Sequence, residues 1–366
     1  MGSAKVKRPA EVELPGRLGY RMPAEWEPHQ ATWIAWPHNV KDWPGRFAPI
    51  PWVYAGIVRQ ITRDEMVHIL IDRDAEDKAR RLLVKMGVDL KLVRFFTIET
   101  DRVWVRDFGP IFVVKDGRGG SRSVGMTNWH FNAWAKYDDW KRDDAVPDQL
   151  ARKLKVDQWK PVSGDPERRI VLEGGSIDVN GSGLLLTTEE CLLSEVQQRN
   201  AGMSRQQIEN SMADYLGIQK VLWLRNGIAG DDTHGHVDDL ARFTDASTIA
   251  IVSEPDKSDV NHDPLKENLA LLQKMRDLKG RPFRIVTLPM PEPVIFEGQR
   301  LPASYANFYI TNGSVLVPTF NDKSDRVALA TLQGMFPKRR VVGIHCLELV
   351  WGLGTLHCMT QQQPKG

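Results

Sequence analysis

The chain has 366 residues, of which 42% are apolar, so it is long enough for one large domain or two ordinary ones with a sizeable core. Its 49 basic residues nearly balance 47 acidic ones, and a net charge of +2 gives no basic footprint for nucleic acid. Three cysteines exclude a disulfide framework. Apolar runs also fall short of the roughly 18 residues that a membrane helix needs.

The N-terminal segment, residues 1–16, is polar and lacks the apolar stretch of a signal peptide. Together with the cysteine content, this predicts a cytoplasmic protein that has neither nucleic acid nor a membrane as a partner. The twelve tryptophans leave a homodimer open.

Four segments along the chain have the pattern of a strand, a tight turn and a second strand. They are residues 110–125, 177–188, 241–253 and 308–320. Two of them carry Asn-Gly-Ser, and Asn-Gly between β-rich runs is a strong hairpin signal because both turn residues take positive φ. The second turn residues are 64, 65 and 67 positions apart: Gly117, Gly181, Ala246 and Gly313.

Segments with helical periodicity lie between these hairpins. They cover residues 74–87, 194–217 and 263–280. A repeated unit of about 65 residues predicts a single α/β domain over residues 1–366, a five-bladed α/β propeller with pseudo-fivefold symmetry. Its fifth unit would join the two ends of the chain, with residues 355–363 pairing near 31–37. The alternative is four unrelated hairpins that happen to be evenly spaced.

Ionisable residues precede three of the turns in a shared phase. Asp107 lies ten positions before its turn residue, Glu173 eight, His236 ten and Asp238 eight. Positions ten and eight share a strand face, so these side chains are expected to converge near the axis of the repeats. Taken singly, each has a simpler interpretation: an ion pair with Arg106, a turn residue, or a polar loop.

Two His-Cys pairs occur near the C-terminal end, at 345–346 and 357–358. Cys346 lies in an apolar run typical of a buried strand, where cysteine behaves as a small hydrophobe. Cys358 follows the glycines of WGLGTLHC and precedes a polar QQQP segment. A thiolate beside histidine is an activated nucleophile, and paired carboxylates suit a planar guanidinium cation. We therefore expect attack on a guanidinium carbon, with His236 rather than the adjacent His357 as the histidine partner.

A metal centre is the chemical alternative. His234, His236, Asp238 and a cysteine are candidate zinc ligands, but their spacing matches neither CxxC nor HExxH. The glycine-rich stretches at 181–183 and 352–354 do not complete a dinucleotide fingerprint. We expect no metal and no organic cofactor.

Six motifs, spread from about residue 19 to 364, make the sequence resemble a known family. They are GYRMPAEWEPHQATWIAWP, WVRDFGP, LEGGSID, GHVDDLARF, SYANFYITNGSVLVPTF and LHCMTQQQP. The chain is similar to the agmatine deiminase and bacterial-type peptidyl-arginine deiminase family of the guanidine-modifying (pentein) superfamily, whose fold is a five-bladed α/β propeller. One departure is WGLGTLHC, where agmatine deiminases are expected to carry GGGxIHC.

The resemblance implies roles for the five ionisable residues. Cys358 would be the nucleophile and His236 the general acid and base. Asp107 and Asp238 would hold the guanidinium nitrogens, and Glu173 would orient His236. The implied reaction passes through a covalent S-alkylthiouronium intermediate and needs no cofactor.

The substrate is less well defined by the resemblance. Trp104 would line the substrate channel, and Asp231 and Asp232 would hold a distal ammonium or form a turn. Arg106 would meet a substrate carboxylate or have a structural role. Hydrolysis of agmatine to N-carbamoylputrescine and ammonia is the leading expectation. The alternatives are peptidyl-arginine or free arginine as substrate, amidinotransfer, and a non-catalytic guanidinium-binding protein.

Overall fold

The structure is a computed structural model that describes residues 13–164 and 167–366. The prediction that there is no signal peptide concerned residues 1–16. Residues 1–12 of this segment lie outside the described part. In chain order the strands are β1 (His29–Ala35), β2 (Met66–Ile71), β3 (Val93–Thr97), β4 (Ile111–Asp116), β5 (Arg122–Thr127), β6 (Asp157–Trp159), β7 (Val162–Ser163), β8 (Arg168–Arg169), β9 (Asp178–Val179), β10 (Leu184–Thr188), β11 (Lys220–Leu224), β12 (Ala241–Phe243), β13 (Thr248–Ser253), β14 (Arg284–Pro289), β15 (Ile295–Phe296), β16 (Gln299–Arg300), β17 (Tyr309–Ile310), β18 (Ser314–Thr319), β19 (Arg340–His345) and β20 (Gln361–Pro364).

The helices lie between the strands. They are α1 (Ile50–Ile61), α2 (Arg73–Lys85), α3 (Val105–Phe108), α4 (Lys141–Asp144), α5 (Val146–Leu154), α6 (Glu189–Leu193), α7 (Arg205–Leu216), α8 (His262–Lys274), α9 (Lys323–Met335) and α10 (Leu347–Val350). Short 3-10 turns occur at Val40–Asp42, Leu90–Leu92, Arg118–Gly120, Ala133–Ala135, Gly174–Ser176 and Val237–Asp239.

Two of the predicted helices are confirmed and one is too long. Helix α2 matches the prediction over 74–87 within two residues at each end, and α8 matches the start of the prediction over 263–280 but ends at Lys274, six residues before the predicted end. The prediction over 194–217 is wrong in its first half, because α7 begins only after Ser204. Ser204 and Gln207 form a capping box there, which satisfies the first backbone N–H groups and sets the start of the helix.

Five sheets share one pairing pattern. In β4-β5-β6, β9-β10-β11, β12-β13-β14 and β17-β18-β19, an antiparallel hairpin is followed by a strand parallel to its second member. The remaining sheet, β20-β1-β2-β3, is called the first sheet because it contains β1. It has β20 antiparallel to β1 and two further parallel strands. The fold is therefore mixed α/β, with small separate sheets rather than one large sheet.

All four predicted hairpins are confirmed by these pairings, but the positive φ expected at both residues of each Asn-Gly turn is wrong at both turns, since Asn180 does not take one. Gly181 has a φ of 70°, whereas neither Asn312 nor Gly313 takes a positive φ. The β17-β18 turn is closed instead by the Thr311 N–H, which donates to the Ser314 carbonyl at 2.8 Å. The Asn312 side chain accepts from the His29 N–H at 2.9 Å, so this turn also contacts β1.

The two ends of the chain meet in the first sheet, as predicted. Strand β20 pairs antiparallel with β1, with Trp33 opposite Gln361 and Thr32 opposite Gln362. The indole N–H of Trp33 donates to the Gln363 side chain at 3.0 Å. Because Cys358 lies three residues before β20, this pairing places the cysteine at the end of the first sheet.

Buried ions connect parts of the chain that are far apart in sequence. Arg242 on β12 is fully buried, and its guanidinium donates to Glu25 at 2.7 Å, to Asp178 at 2.8 Å and to the Phe308 carbonyl at 2.9 Å. Glu25 also accepts from the Ile310 N–H at 2.7 Å. Buried charges persist only when they are paired and hydrogen-bonded, so these contacts strongly constrain how the strands assemble.

None of the helices within 13–164 and 167–366 is long and apolar enough to cross a membrane.

The Arg242 network generates a prediction on stability. Arg242→Met keeps most of the side-chain volume but leaves Glu25 and Asp178 buried without their cation, so the free energy of unfolding should fall by about 3–5 kcal/mol. Urea denaturation followed by circular dichroism measures this. Arg80→Met, which removes a partly exposed ion pair with Glu76 within one helix, is the control and should change stability by less than about 1 kcal/mol. Equal losses in the two variants would contradict the prediction.

Candidate active site

The nucleophile expected from the sequence lies in the turn between α10 and β20. Cys358 is 6% exposed, and its Sγ accepts a hydrogen bond from the Asn307 amide nitrogen at 3.1 Å. Its sulfur also lies 3.7 Å from Asp238 Oδ2. Cys346 is fully buried just after β19, as a small hydrophobe would be, so the two cysteines have different environments.

Three of the other expected residues converge around the backbone of Gly175. A Cβ placed on Gly175 would lie 2.6 Å from His236 Nδ1, 2.7 Å from Asp107 Oδ1 and 3.1 Å from Asp238 Oδ2. The Gly175 N–H donates to Asp107 Oδ1 at 3.0 Å. The second glycine of LEGGSID is therefore required by the close approach of three functional side chains.

His236 lies between two carboxylates and is almost completely buried. Its Nδ1 is 3.8 Å from Asp107 Oδ1, and its Nε2 is 3.8 Å from Glu173 Oε2. Burial by itself lowers the pKa of His236, but the charge of Asp107 and the polar contacts with Cys191 and Glu173 together outweigh burial and raise this pKa well above its usual value. His236 is thus placed to hold a proton.

Glu173 is itself held by a cation. Arg199 Nε donates to Glu173 Oε1 at 2.9 Å, and both side chains are fully buried. Burial raises the pKa of Glu173, but Arg199 and His236 outweigh burial and lower this pKa to about 2. Glu173 therefore stays ionised beside His236.

The two aspartates differ in their electrostatics. Burial and the nearby charges of Asp238 and Glu173 raise the pKa of Asp107 to about 7, although His236 and the Trp134 N–H oppose this. Burial also acts to raise the pKa of Asp238, but the hydrogen bond from His357 outweighs it and the pKa is lowered. One carboxylate therefore stays ionised, while the other is ready to gain or lose a proton near neutral pH.

The same carboxylates act on the nucleophile. Burial together with Asp238, Asp239 and Asp107 raises the pKa of the Cys358 thiol well above its usual value. A negative sulfur is therefore unfavourable in this site until a positive charge comes close.

A narrow cavity of about 70 Å³ leads to these groups. It is lined by Lys41, Asp42, Arg102, Trp104, Asp107, Trp134, Tyr137, Asp232, Thr233, Gly352, Leu353, Gly354 and Cys358. Trp104 lies where the resemblance implied it, and a Cβ on Gly354 would come within 2.8 Å of its ring. His236, Asp238 and Glu173 lie behind the wall of this cavity.

The two aspartates before His236 have separate roles. Asp231 Oδ2 accepts from the Gly235 and His236 N–H groups at 2.8 and 2.9 Å, so it shapes the turn that carries the histidine. Asp232 lines the cavity instead, and its carboxylate accepts from Lys136 and, at 2.7 Å, from the Tyr137 hydroxyl.

The placement of Arg106 bears on the two roles that the sequence left open for it. Its guanidinium is not among the groups that line the cavity. Arg106 Nε donates to the His357 carbonyl at 3.2 Å and Nη1 donates to Gln362 at 2.8 Å, while Nη2 lies 3.7 Å from Glu25. The buried guanidinium thus contacts the backbone just before Cys358, an arrangement that favours the structural role.

Sequence reasoning missed two residues that hold the nucleophile in place. Asn307 accepts from the His357 N–H at 2.9 Å and from the Thr355 hydroxyl at 2.7 Å, and its amide donates to Asp239 at 2.9 Å as well as to Cys358. Glu25 contacts His357 at 2.8 Å. Both lie in motifs that carry the family resemblance, SYANFYITNG and GYRMPAEWEPH. Neither lies eight or ten residues before a hairpin turn, the positions that Asp107, Glu173, His236 and Asp238 share.

The zinc ligands considered from the sequence do not come together. His234 contacts Ser194 at 3.2 Å and Glu190 at 3.8 Å, rather than His236 or Asp238. Two other groups bring potential ligand atoms within 4.8 Å of one another: Glu173, Cys191 and His236, and Asp238, Asp239 and Cys358. Both groups overlap the residues described above.

Comparisons with known proteins agree with this geometry. The family model of Porphyromonas-type peptidyl-arginine deiminases matches residues 21–364. The agmatine deiminase of Pseudomonas aeruginosa is 37% identical over 377 residues, covering 96% of this chain and 98% of that protein.

Solved structures give the same result. The Enterococcus faecalis agmatine deiminase superposes with a TM-score of 0.87 at 34% identity, covering 98% of this chain and 100% of that chain. A C. jejuni agmatine deiminase with substrate bound gives 0.83 at 31% identity, covering 95% and 97%. From a match that spans almost its whole length, the chain belongs to the Porphyromonas-type peptidyl-arginine deiminase family.

Proposed function

We propose that this protein is an agmatine deiminase, which hydrolyses agmatine to N-carbamoylputrescine and ammonia. The observation that carries the proposal is the convergence of His236, Asp107 and Asp238 around Gly175 and beside Cys358, with Asp107 and Cys358 lining one narrow cavity. The relatives named agmatine deiminase support the choice of substrate.

The proposal includes the propeller architecture and the single catalytic domain that are expected from the sequence. The five sheets with one pairing pattern support a five-bladed propeller, a single catalytic domain of about five repeats. A homodimer and a cytoplasmic location stay predictions.

Binding of the guanidinium is the first step. Asp107 and Asp238 accept its N–H groups, and the planar cation replaces the missing positive charge among the carboxylates. Its arrival lowers the pKa of the Cys358 thiol, because the cation stabilises the thiolate that the carboxylates otherwise oppose. The site is therefore selective for positively charged amidines.

Deimination then follows in two halves. The Cys358 thiolate bonds to the guanidinium carbon, and the bond from this carbon to a terminal nitrogen breaks as His236 gives that nitrogen a proton. Ammonia leaves and a thiouronium remains. Water, deprotonated by His236, adds to the same carbon. As the carbon–sulfur bond breaks, the remaining hydroxyl proton passes to the sulfur, which releases the ureido product and restores the thiol and the protonated His236. The proton that the thiol lost when the substrate bound leaves with ammonia as ammonium.

The end of the substrate that is remote from the guanidinium is assigned to the side of the cavity lined by Asp232. A second cation, such as the ammonium of agmatine, would compete with Lys136 for this carboxylate. The small volume of the cavity favours a slender substrate over a peptide.

A panel of guanidine compounds tests the assignment. Agmatine, free arginine and a peptidyl-arginine are each incubated with the protein, and ureido product and ammonia are measured. We expect turnover of agmatine and little of the others, while Cys358→Ser, with unchanged circular dichroism, should lose at least about 10⁴-fold in kcat. Product from arginine or peptidyl-arginine alone would contradict the substrate, and an active Cys358→Ser variant would contradict the nucleophile.

The raised pKa of the thiol predicts a pH dependence of alkylation. Only the thiolate reacts, so the rate at which neutral iodoacetamide modifies Cys358 should be low at neutral pH and should increase as the pH rises. A cationic haloacetamidine brings its own positive charge and should react faster at neutral pH. Mass spectrometry of the labelled peptide measures both rates. Equal rates for the two reagents would show that the carboxylates do not control the thiol.

Gly175 provides a test of geometry. Gly175→Ala would push His236, Asp107 and Asp238 apart by a few tenths of an ångström or more, and kcat/KM should fall about 100-fold. Gly56→Ala, in the middle of α1 with open space around it, is the matched control and should keep full activity. If both variants were equally active, the close approach at Gly175 would have no catalytic importance.

A further inference from the structure

His357 lies beside the nucleophile but has no role in the steps above. The ring is 1% exposed. Its Nδ1 is 2.7 Å from Asp238 Oδ2, and its Nε2 is 2.8 Å from Glu25 Oε2. Both partners are carboxylate oxygens, which accept hydrogen bonds and do not donate them when ionised.

Two short contacts to acceptors determine the state of the ring. A neutral imidazole has one N–H, so it donates to one carboxylate and turns a lone pair towards the other. Donation from both nitrogens requires the imidazolium cation. Glu25 is paired with Arg242 as well, whereas Asp238 Oδ2 contacts only His357 and, at 3.7 Å, the Cys358 thiol among the described residues. Two ionised carboxylates at these distances are both satisfied only when both ring nitrogens donate.

The contact also selects one oxygen of Asp238. His357 holds Oδ2, whereas Asp238 Oδ1 is buried and has no hydrogen-bond partner among residues 13–164 and 167–366. An unpaired carboxylate oxygen in a buried site is costly unless a ligand supplies a donor. Oδ1 is therefore the oxygen available to a guanidinium N–H.

The backbone strengthens the same arrangement. The His357 N–H donates to Asn307 and its carbonyl accepts from Arg106, so the backbone that carries the ring is fixed together with the turn that carries Cys358. His357 thereby links the position of Cys358 to the orientation of the Asp238 carboxylate.

We propose that His357 is a positioning residue that acts through Asp238: its imidazolium, anchored on Glu25, holds Asp238 Oδ2 and turns Oδ1 towards the guanidinium of the substrate. This inference rests on the proposed function, because it uses Asp238 as a ligand of the guanidinium. His357 makes and breaks no bond in the reaction.

Two amide variants separate the two contacts of the ring. In His357→Asn the side-chain amide nitrogen should lie near the position of Nδ1, so this variant keeps the donor to Asp238. In His357→Gln the amide nitrogen should lie near the position of Nε2, so this variant keeps only the contact to Glu25. Agmatine binding is measured by calorimetry in the Cys358→Ser background, and KM and kcat in the otherwise native protein.

We expect His357→Gln to weaken agmatine binding by about tenfold or more, with a rise in KM, and His357→Asn to lose clearly less. His345→Gln, on an exposed histidine that pairs with Glu348, is the control and should change neither value. Equal effects of the Asn and Gln variants, or no effect of either, would overturn the proposal.

A second measurement does not depend on the identity of the substrate and uses a variant only to assign the signals. In native protein labelled with ¹⁵N-histidine, the His357 ring should show two N–H groups at neutral pH, assigned by their loss in His357→Asn. A ring with one N–H would overturn the inference even if agmatine is the substrate. Two N–H groups without turnover of agmatine would place the failure in the proposed function instead.

Discussion

The carboxylate of Glu25 is the point on which the rest of the structure depends. It accepts from Arg242 on β12, from the backbone of Ile310 on β17 and from His357 beside the nucleophile. These partners come from three distant parts of the chain, and each of them would lose a buried hydrogen bond if Glu25 moved. Because a buried charge tolerates only a few arrangements of its partners, this one side chain restricts both the packing of the sheets and the position of Cys358.

Around the thiol, the protein concentrates negative charge rather than positive charge. Asp107, Asp238 and Asp239 all act to raise the pKa of Cys358, so the resting site disfavours the reactive anion. Under the proposed function, the substrate supplies the missing cation. The ureido product is neutral and no longer satisfies the carboxylates, so the same electrostatics that favour entry of a guanidinium favour release of the product.

Much of this arrangement can be predicted from the sequence, because hairpin signals and the spacing of the repeats are visible in one chain without knowledge of its tertiary contacts. Hairpins at four regular positions and the shared phase of Asp107, Glu173, His236 and Asp238 require no knowledge of distant contacts, and the pairing of β20 with β1 follows from the same period. Glu25, Asn307 and Arg106 are different, because their partners lie far away in the sequence. Nothing in the local pattern shows that a guanidinium next to Asp107 turns inwards to Glu25 and Gln362, away from the cavity.

The pairing of β20 with β1 also has a consequence for the order of events during synthesis. The indole N–H of Trp33 donates to Gln363, which lies 330 residues further along the chain. This is a contact of very high sequence separation. While the ribosome is still translating, the edge of β1 that β20 will occupy is unpaired, and the turn with Cys358 has not emerged. Cys358 is thus synthesised after strands β1 to β19, and its turn lies directly before β20, the strand that covers the open edge of the first sheet.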